Sequence, residues 1–284
     1  MFTPTQLEHY RREGYVVYPA FLAAAEAAAL RAELEAIAAG NTLASHDKTR
    51  MEMEPGQPPE GRLIRRLYEP CTYYPGFHAL SDSPRLLDCV EQLLGPDLVF
   101  HYSKINMKPA RIGSVVEWHQ DLSYYPLTNR DSVSILFYLD DATVQNGCLQ
   151  VLPRRHQEPM MDHTTGGFFR GRITVPVDEA AAVPLAAGAG SVIFMHGMTP
   201  HASVTNTSDQ PRRTLILSYR AADAIPIYCG VMSTSADPHL RLVRGNWAAA
   251  ARATETTIPI PRYETKIASL YELQEQARAA EQQA

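Results

Sequence analysis

The stretch Glu117-Trp118-His119-Gln120-Asp121 places an imidazole and a carboxylate two residues apart, beside runs that are typical of β-strands. Successive side chains of a strand point to opposite faces, so residues i and i+2 share one face, about 6–7 Å apart. His119 and Asp121 can therefore turn toward one point. They would supply two ligands of a 2-His-1-carboxylate metal site, although the same pair also fits a polar surface loop.

A third ligand must come from elsewhere in the chain, which contains ten histidines. His201 opens a predicted strand after a turn marked by Gly197 and Pro200. His196, at the end of the preceding strand, is the competing candidate. Other histidines fit structural or solvated positions better, namely His101, His156 and His163. Its position therefore favours His201 as the third ligand, and His196 stays the alternative.

A polar strand face follows the third candidate ligand. Arg212 lies eleven residues after His201, and in a strand it would share a face with Thr214, Ile216 and Ser218. A planar guanidinium that faces a cavity is suited to a bidentate grip on a carboxylate, although a single arginine commonly forms a surface ion pair instead. Ser203 shares the face of His201 and could donate to the same carboxylate.

The order of predicted elements favours a sheet sandwich or barrel with helical support. A helix opens with a capping box at Thr3 and Gln6 and stops near Gly14, and further helices are predicted over 21–39, 77–94 and 263–284, the last one polar and exposed. Predicted strands cover 15–18, 99–108, 115–119, 132–140, 148–152, 174–177, 191–196, 201–205 and 214–219. We predict one domain over 1–284, with helical support in 1–97, a β core in about 98–222, and an irregular segment and helix in 223–284. Residues 41–61 read as a long loop that could be a lid.

Composition excludes several functional classes. The chain has 284 residues and a net charge of −5, and it lacks a basic patch suited to nucleic acid. Its apolar runs are too short for a membrane span, and no secretory leader is apparent, so we expect a cytoplasmic protein. The four cysteines are widely spaced without a C-x-x-C motif, which predicts reduced thiols rather than a disulfide framework or zinc site.

Together these motifs resemble the phytanoyl-CoA dioxygenase family of Fe(II)- and 2-oxoglutarate-dependent oxygenases. The resemblance covers about residues 1–225. It rests on the spacing of His119, Asp121, His201 and Arg212, and on the following stretches: Met107-Lys108-Pro109, Trp118-His119-Gln120-Asp121, Leu139-Asp140-Asp141-Ala142-Thr143, Asn146-Gly147-Cys148-Leu149 and Leu152-Pro153 with His156.

The resemblance implies a mainly β fold with flanking helices around a double-stranded β-helix, also called a jelly-roll or cupin-like core. It implies that His119, Asp121 and His201 bind iron and that Arg212 and Ser203 hold the distal carboxylate of 2-oxoglutarate. Further co-substrate contacts are implied for Gln120 and Lys104. The implied reaction uses O2 to hydroxylate an unactivated C–H bond of a small molecule, releases succinate and CO2, and relies on ascorbate as reductant. Related halogenases have a small residue where Asp121 stands, so Asp121 favours hydroxylation.

The substrate is less constrained by sequence. Four arginines hint at an anionic substrate such as a carboxylate, although surface solvation explains them equally well: Arg65, Arg66, Arg241 and Arg244. We expect no nucleic-acid or membrane partner, and a monomer or homodimer. Two alternatives stay open, namely a cupin-like metal enzyme that does not use 2-oxoglutarate and a catalytically silent binding scaffold.

Overall fold

The computed structural model describes residues 1–113, 115–227, 238–264 and 270–281. Its α-helices are α1 Pro4–Glu13, α2 Ala24–Ala39, α3 Pro70–Tyr73, α4 Pro75–Ser81, α5 Pro84–Leu94 and α6 Leu270–Glu281. Its β-strands are β1 Tyr15–Tyr18, β2 Met51–Met53, β3 Ile64–Tyr68, β4 Leu98–Lys108, β5 Val116–His119, β6 Ser132–Tyr138, β7 Gln150–Val151, β8 Thr164–Thr165, β9 Phe168–Phe169, β10 Val183–Pro184, β11 Val192–His196, β12 His201–Ser203, β13 Arg212–Ala221 and β14 Arg241–Arg244.

Two antiparallel sheets form the core of the fold. The large sheet has the strand order β1-β11-β6-β13-β4-β3-β2, and β14 pairs with β4. The small sheet has the order β10-β7-β12-β5, and β8 pairs with β9 as a separate hairpin. Since the strands of each sheet are far apart in sequence, the order is that of a jelly roll, as the family resemblance implies.

The long strands of the large sheet separate two environments. In β13, Leu215, Leu217 and Tyr219 join the main hydrophobic core together with Phe77 of α4 and Leu86 of α5. Alternate residues of the same strand point to the opposite, inner face of the sheet. The inner face carries the polar residues that the sequence pattern places together.

The N-terminal helix is tied to the turn that precedes His201. Its predicted capping box is present, with Thr3 as N-cap and Gln6 at N3. It ends at Gly14, which has φ +85° and whose carbonyl accepts hydrogen bonds from Thr199 Oγ1 (2.8 Å) and His196 N (2.9 Å). A Cβ at Gly14 would lie 2.6 Å from Thr199 Oγ1, so the close approach requires glycine.

Some predicted elements are wrong at the edges of the sheets. Within 1–97 the predicted strand β1 is present, but β2 and β3 are two further strands of the large sheet that the sequence pattern does not predict. Residues 41–61 are not all loop, since Met51 and Met53 are buried where β2 pairs with β3. Residues 223–262 include β14, which pairs with β4. These edge strands are three to five residues long, too short for a clear period of two.

Two further predictions need correction. Residues 174–177 contain no strand, because Thr174 N and Oγ1 bond to the carbonyl oxygens of Asp162 and Thr164 in an irregular segment (2.9 Å each). The C-terminal helix is not fully exposed, since Leu273, Gln274 and Ala277 are buried. Residues 265–269 and 282–284 of the predicted helix lie outside the described residues, as does Cys229. The other cysteines are buried free thiols, namely Cys71, Cys89 and Cys148.

Candidate metal centre and active-site pocket

Three potential metal ligands converge between the two sheets. His119 ends β5 and pairs with His201 at the start of β12, while Asp121 begins a short 3-10 turn directly after β5. Asp121 Oδ1 lies 3.8 Å from His119 Nε2 and 3.8 Å from His201 Nε2. All three ligand atoms lie within 4.8 Å of one another, and all three residues are buried. The predicted triad is therefore assembled as one cluster.

The hydrogen bonds of both histidines engage Nδ1 and leave Nε2 of each ring able to bind a metal. His119 Nδ1 lies 2.7 Å from Glu117 O, and His201 Nδ1 lies 3.0 Å from Thr199 O. Since a carbonyl accepts, each Nδ1 carries the proton and each Nε2 keeps its lone pair toward Asp121. Burial lowers the pKa of both imidazoles, which keeps them neutral as metal ligation requires.

Asp121 is held by a neighbouring strand. Ser134 Oγ of β6 donates to Asp121 Oδ2 at 2.5 Å, which leaves Oδ1 toward the histidines. Burial raises the pKa of Asp121, but its interactions with His201, Lys104 and His119 and the hydrogen bond from Ser134 outweigh burial and lower it overall. Two neutral imidazoles and one carboxylate on one side of a point form the donor set that non-haem Fe(II) oxygenases use, with open positions opposite.

His196, the competing candidate, is not part of this cluster. Its ring packs 5.2 Å from that of His156, and its Nδ1 accepts a hydrogen bond from Met198 N at 3.0 Å. It lies on β11 opposite Val133, whose side chain joins the main hydrophobic core. The alternation of β11 thus turns His196 away from the metal ligands.

A pocket extends from the triad along the inner face of the large sheet to Arg212. Its wall combines polar and apolar side chains, including Lys104, Asn106, Ser134, Leu136, Tyr138, Leu149, Met195, Ser203, Arg212 and Ile216. The predicted face of β13 is therefore correct for Arg212 and Ile216. Ser203 also lines the pocket, two residues after His201.

The Arg212 guanidinium is oriented before any ligand binds. Nη1 donates to Thr214 Oγ1 at 2.7 Å, and Nη2 donates to Gly147 O at 2.7 Å. Lys108 lies beside it, where burial and the charge of Arg212 lower the Lys108 pKa to about 6. Its Nζ donates to Val204 O at 2.6 Å. A largely neutral Lys108 leaves Arg212 as the main positive charge at this end of the pocket.

The other two predicted co-substrate contacts differ from each other. Lys104 lines the pocket, and burial lowers its pKa to about 8. Gln120 is completely buried away from the pocket wall, because its Nε2 donates to Met198 O (2.7 Å) and its Oε1 accepts from Met161 N (2.8 Å). The expected contact of Gln120 with the co-substrate is therefore wrong, because its amide instead forms hydrogen bonds that connect two loops behind the triad.

The arginines that hinted at an anionic substrate are mostly engaged elsewhere. Arg66 Nε donates to Asn106 Oδ1 at 3.0 Å and so borders the pocket. The remaining three form ion pairs, namely Arg65 with Glu54 (3.3 Å), Arg241 with Asp82 (2.6 Å) and Arg244 with Glu91 (2.6 Å). Ion pairing explains these three without a substrate.

Sequence reasoning missed Ser134 and Asn106. Ser132 and Ser134 alternate with apolar residues in a predicted strand, and this alternation is the signal that would have placed both serines on the inner face. The same alternation applies to Asn106, which lies two residues after Lys104 in a predicted strand and so shares its face.

Comparisons with known proteins agree with this geometry. The family model described as "Phytanoyl-CoA dioxygenase (PhyH)" matches residues 10–214. A "Probable alpha-ketoglutarate-dependent hypophosphite dioxygenase" from Stutzerimonas stutzeri is 31% identical over 269 residues, which cover 92% of each chain. A "Methylphosphonate hydroxylase" from Gimesia maris is 30% identical, over 77% of this chain and 81% of the relative.

Solved structures show the same fold. EvdO2 from Micromonospora carbonacea var. aurantiaca, complexed with 2-oxoglutarate, aligns with a TM-score of 0.61 and 27% identity over 78% of this chain and 91% of its own. EctD from S. alaskensis, with 2-oxoglutarate and 5-hydroxyectoine, aligns with a TM-score of 0.67 and 22% identity over 92% of this chain and 88% of its own.

The described helices include none that is both long and apolar enough to cross a membrane. The predicted jelly-roll fold and the predicted enzyme class, which uses Fe(II) and 2-oxoglutarate on small molecules, are both confirmed. The chain belongs to the phytanoyl-CoA dioxygenase family.

Proposed function

We propose that His119, Asp121 and His201 bind Fe(II) and that Arg212 binds the distal carboxylate of 2-oxoglutarate. The observation that carries this assignment is that the three ligand atoms and Arg212 share one buried pocket. Ser203 and Lys104, on the same wall, are proposed as further co-substrate contacts. With iron and 2-oxoglutarate bound, the site supplies the oxidant that transfers one atom of O2 to the substrate, while the other enters succinate as CO2 leaves.

The protein's own contribution is orientation and charge. Glu117 O and Thr199 O fix the histidine rings, and Ser134 fixes the carboxylate. Arg212 is held by Thr214 and Gly147, so little side-chain freedom is lost when a carboxylate binds. The apolar part of the wall, formed by residues such as Leu136 and Ile216, limits water around these charged groups and strengthens their interactions.

We further propose that the substrate is a small oxyanion of phosphorus and that the product is hydroxylated. Both curated relatives named above act, by their names, on such compounds, namely hypophosphite and methylphosphonate. The bond that gains oxygen would then be a P–H or a C–H bond. A carboxylate substrate, predicted from the arginines, is the alternative, and it loses support because three of those arginines are in ion pairs. Ascorbate as reductant, a cytoplasmic location and a monomeric or homodimeric state stay predictions.

Succinate release tests the proposed function. The Fe(II)-loaded protein is incubated in air with 2-oxoglutarate, ascorbate and one compound from a panel of hypophosphite, methylphosphonate, small carboxylic acids and amino acids. We expect succinate in proportion to the hydroxylated product with a phosphorus oxyanion, and none in His119→Ala. A protein that binds iron but releases no succinate with any compound or alone would support a metal enzyme that does not use 2-oxoglutarate. Succinate coupled to a carboxylic acid would overturn the substrate class alone.

A further inference from the structure

A second polar cluster lies on the inner face of the large sheet, beyond Asp121. In β13 the alternation that turns Arg212 inward also turns Ser218 and Arg220 inward, because Tyr219 between them joins the main core. Register places Ser218 opposite Ser134 and Arg220 opposite Ser132 of β6. Since Ser134 binds Asp121, the metal ligands lie between two inward arginines, Arg212 and Arg220, which are roughly 25 Å apart along the strand.

His101 enters the same cluster through an irregularity in β4. The pairing of β4 with β13 shifts between Ser218 and Tyr219, whose partners are Tyr102 and Phe100, so His101 is the extra residue. Such a bulge re-aims a side chain. The His101 ring packs 5.0 Å from that of Tyr125, which follows the turn that carries Asp121. Residues from β4, β6, β13 and this turn thus meet at one place.

The cluster holds buried polar atoms that lack a hydrogen-bond partner within the described structure. They are both ring nitrogens of His101, the hydroxyls of Tyr125 and Ser132, and Nε of Arg220. His101 is 6% exposed, Ser132 0% and Arg220 3%. Buried polar atoms in native proteins are nearly always bonded, so five unbonded atoms together indicate a place that a polar ligand or ordered water fills.

The charge of the cluster favours an anion. Among the described carboxylates, none lies within ion-pair distance of Arg220, whose Nη1 donates instead to Ala224 O at 2.7 Å. Burial and the charge of Arg220 lower the pKa of His101 to about 3, so its ring is neutral and carries one N–H. A guanidinium, an imidazole and two hydroxyls can all donate. Donors from different directions suit the tetrahedral oxygens of a phosphorus oxyanion better than the two coplanar oxygens of a carboxylate.

We propose that Arg220, His101, Tyr125 and Ser132 bind the oxyanion group of the substrate, on the side of the metal ligands opposite to Arg212. The inference rests on the proposed function and gives each of the two anions its own arginine. Arg212 takes the co-substrate, and Arg220 takes the substrate. The separation would prevent the two anions from competing for one site.

Calorimetric titration of methylphosphonate into the Fe(II)- and 2-oxoglutarate-loaded protein, without O2, tests this assignment. We expect Arg220→Gln to raise the Kd for methylphosphonate at least about tenfold, as expected for a lost charge-assisted bond, while the Kd for 2-oxoglutarate stays unchanged. Arg130→Gln is the control, since its guanidinium pairs with Glu255 outside the cluster (2.7 Å). Tyr125→Phe removes one hydroxyl with little change in packing, so it gives a second test if Arg220→Gln does not fold.

The outcomes separate this inference from the proposed function. If 2-oxoglutarate binds to the iron-loaded protein but neither methylphosphonate nor hypophosphite binds in the same titration, the assignment to phosphorus oxyanions is overturned and the proposed co-substrate site stands. If methylphosphonate binds Arg220→Gln and Tyr125→Phe as tightly as the wild type, the cluster is not its site. If 2-oxoglutarate itself does not bind, the proposed function is overturned, and the inference that rests on it is overturned as well.

Discussion

Ser134 shows how one hydroxyl can organise a metal site. It donates to Asp121 Oδ2, and this bond decides which carboxylate oxygen faces the histidines. Side chains that orient metal ligands typically change metal affinity by about 10–100-fold when removed. We expect Ser134→Ala to weaken Fe(II) binding by about tenfold, measured by anaerobic competition with a chelator. Ser45→Ala, at an exposed serine, should bind Fe(II) like the wild type, and equal affinity in both variants would contradict the role of Ser134.

Arg212 and Arg213 offer a matched pair on adjacent positions of β13. Arg212 faces the pocket, whereas Arg213 faces outward and pairs with Asp140 at 2.6 Å. A lost charge-assisted hydrogen bond is worth about 1.5–3 kcal/mol, so Arg212→Gln should raise the 2-oxoglutarate concentration for half-maximal succinate release by about 10–100-fold. Arg213→Gln should leave that concentration unchanged. Loss of iron from Arg212→Gln, rather than weaker co-substrate binding, would show that the role of Arg212 is misassigned.

For single residues, sequence reasoning succeeds where the alternation of side chains along a strand alone determines which face a residue occupies. The i, i+2 rule brings His119 and Asp121 together and turns Arg212 and Ile216 to one side. The co-substrate contact that the family resemblance implies for Gln120 is not found, because its amide bonds to backbone groups 41 and 78 residues away. Such distant partners leave no local pattern in the sequence.

The C-terminal helix α6 acts as a clamp on β5. Gln274 Nε2 donates to Gly171 O at 2.6 Å, and its Oε1 accepts from Glu117 N at 3.2 Å. Arg278 pairs with the Glu117 side chain at 2.5 Å, two residues before His119. A polar composition suggested an exposed helix, but here a polar side chain is the buried contact. The helix thus supports the strand that carries the first metal ligand.

Gln274→Ala tests this clamp. The substitution leaves Glu117 N without its side-chain partner, whereas Gly171 O keeps the hydrogen bond from the Tyr124 hydroxyl. An unsatisfied buried group costs about 1–3 kcal/mol. We expect the free energy of unfolding in urea to fall by about that amount. Gln276→Ala is the matched control, because Gln276 is exposed on the same helix and bonds to Glu272. Equal stability of the two variants would show that α6 does not clamp β5.

Over the whole molecule, the pairing of distant strands builds the site. The triad joins β5 to β12, and the pocket runs along β4, β6 and β13 of the facing sheet. The family resemblance predicts this architecture, since the motifs span most of the chain. The short edge strands β2 and β14 escape prediction, because their order comes from pairing with β3 and β4 rather than from their own residues.

Buried neutral histidines should make the fold sensitive to acid. Burial lowers the pKa of His163 to about 4 and that of His196 to about 3, while histidine in an unfolded chain titrates near 6.5. As the pH falls below about 6.5, the unfolded state binds protons at these histidines and the folded state does not. The free energy of unfolding therefore decreases between about pH 6.5 and pH 4. We expect the urea midpoint of the metal-free protein to be lower at pH 5 than at pH 7.

His163→Gln is the matched variant for this prediction. His163 Nε2 accepts from Gln120 N at 3.2 Å and Nδ1 bonds to Met161 O at 2.7 Å, and a glutamine amide can both accept and donate without titrating. The variant should therefore lose less stability between pH 7 and pH 5 than the wild type. An identical loss in both proteins would contradict the contribution of His163.

Anaerobic titration of 2-oxoglutarate into the Fe(II)-loaded protein, followed by visible absorption, tests the central claim most directly. The claim is that His119, Asp121 and His201 hold iron with open positions that face the pocket of Arg212. We predict a weak charge-transfer band that saturates with 2-oxoglutarate and is absent in His119→Ala. Iron bound at the triad with no such band at saturating 2-oxoglutarate would contradict the account.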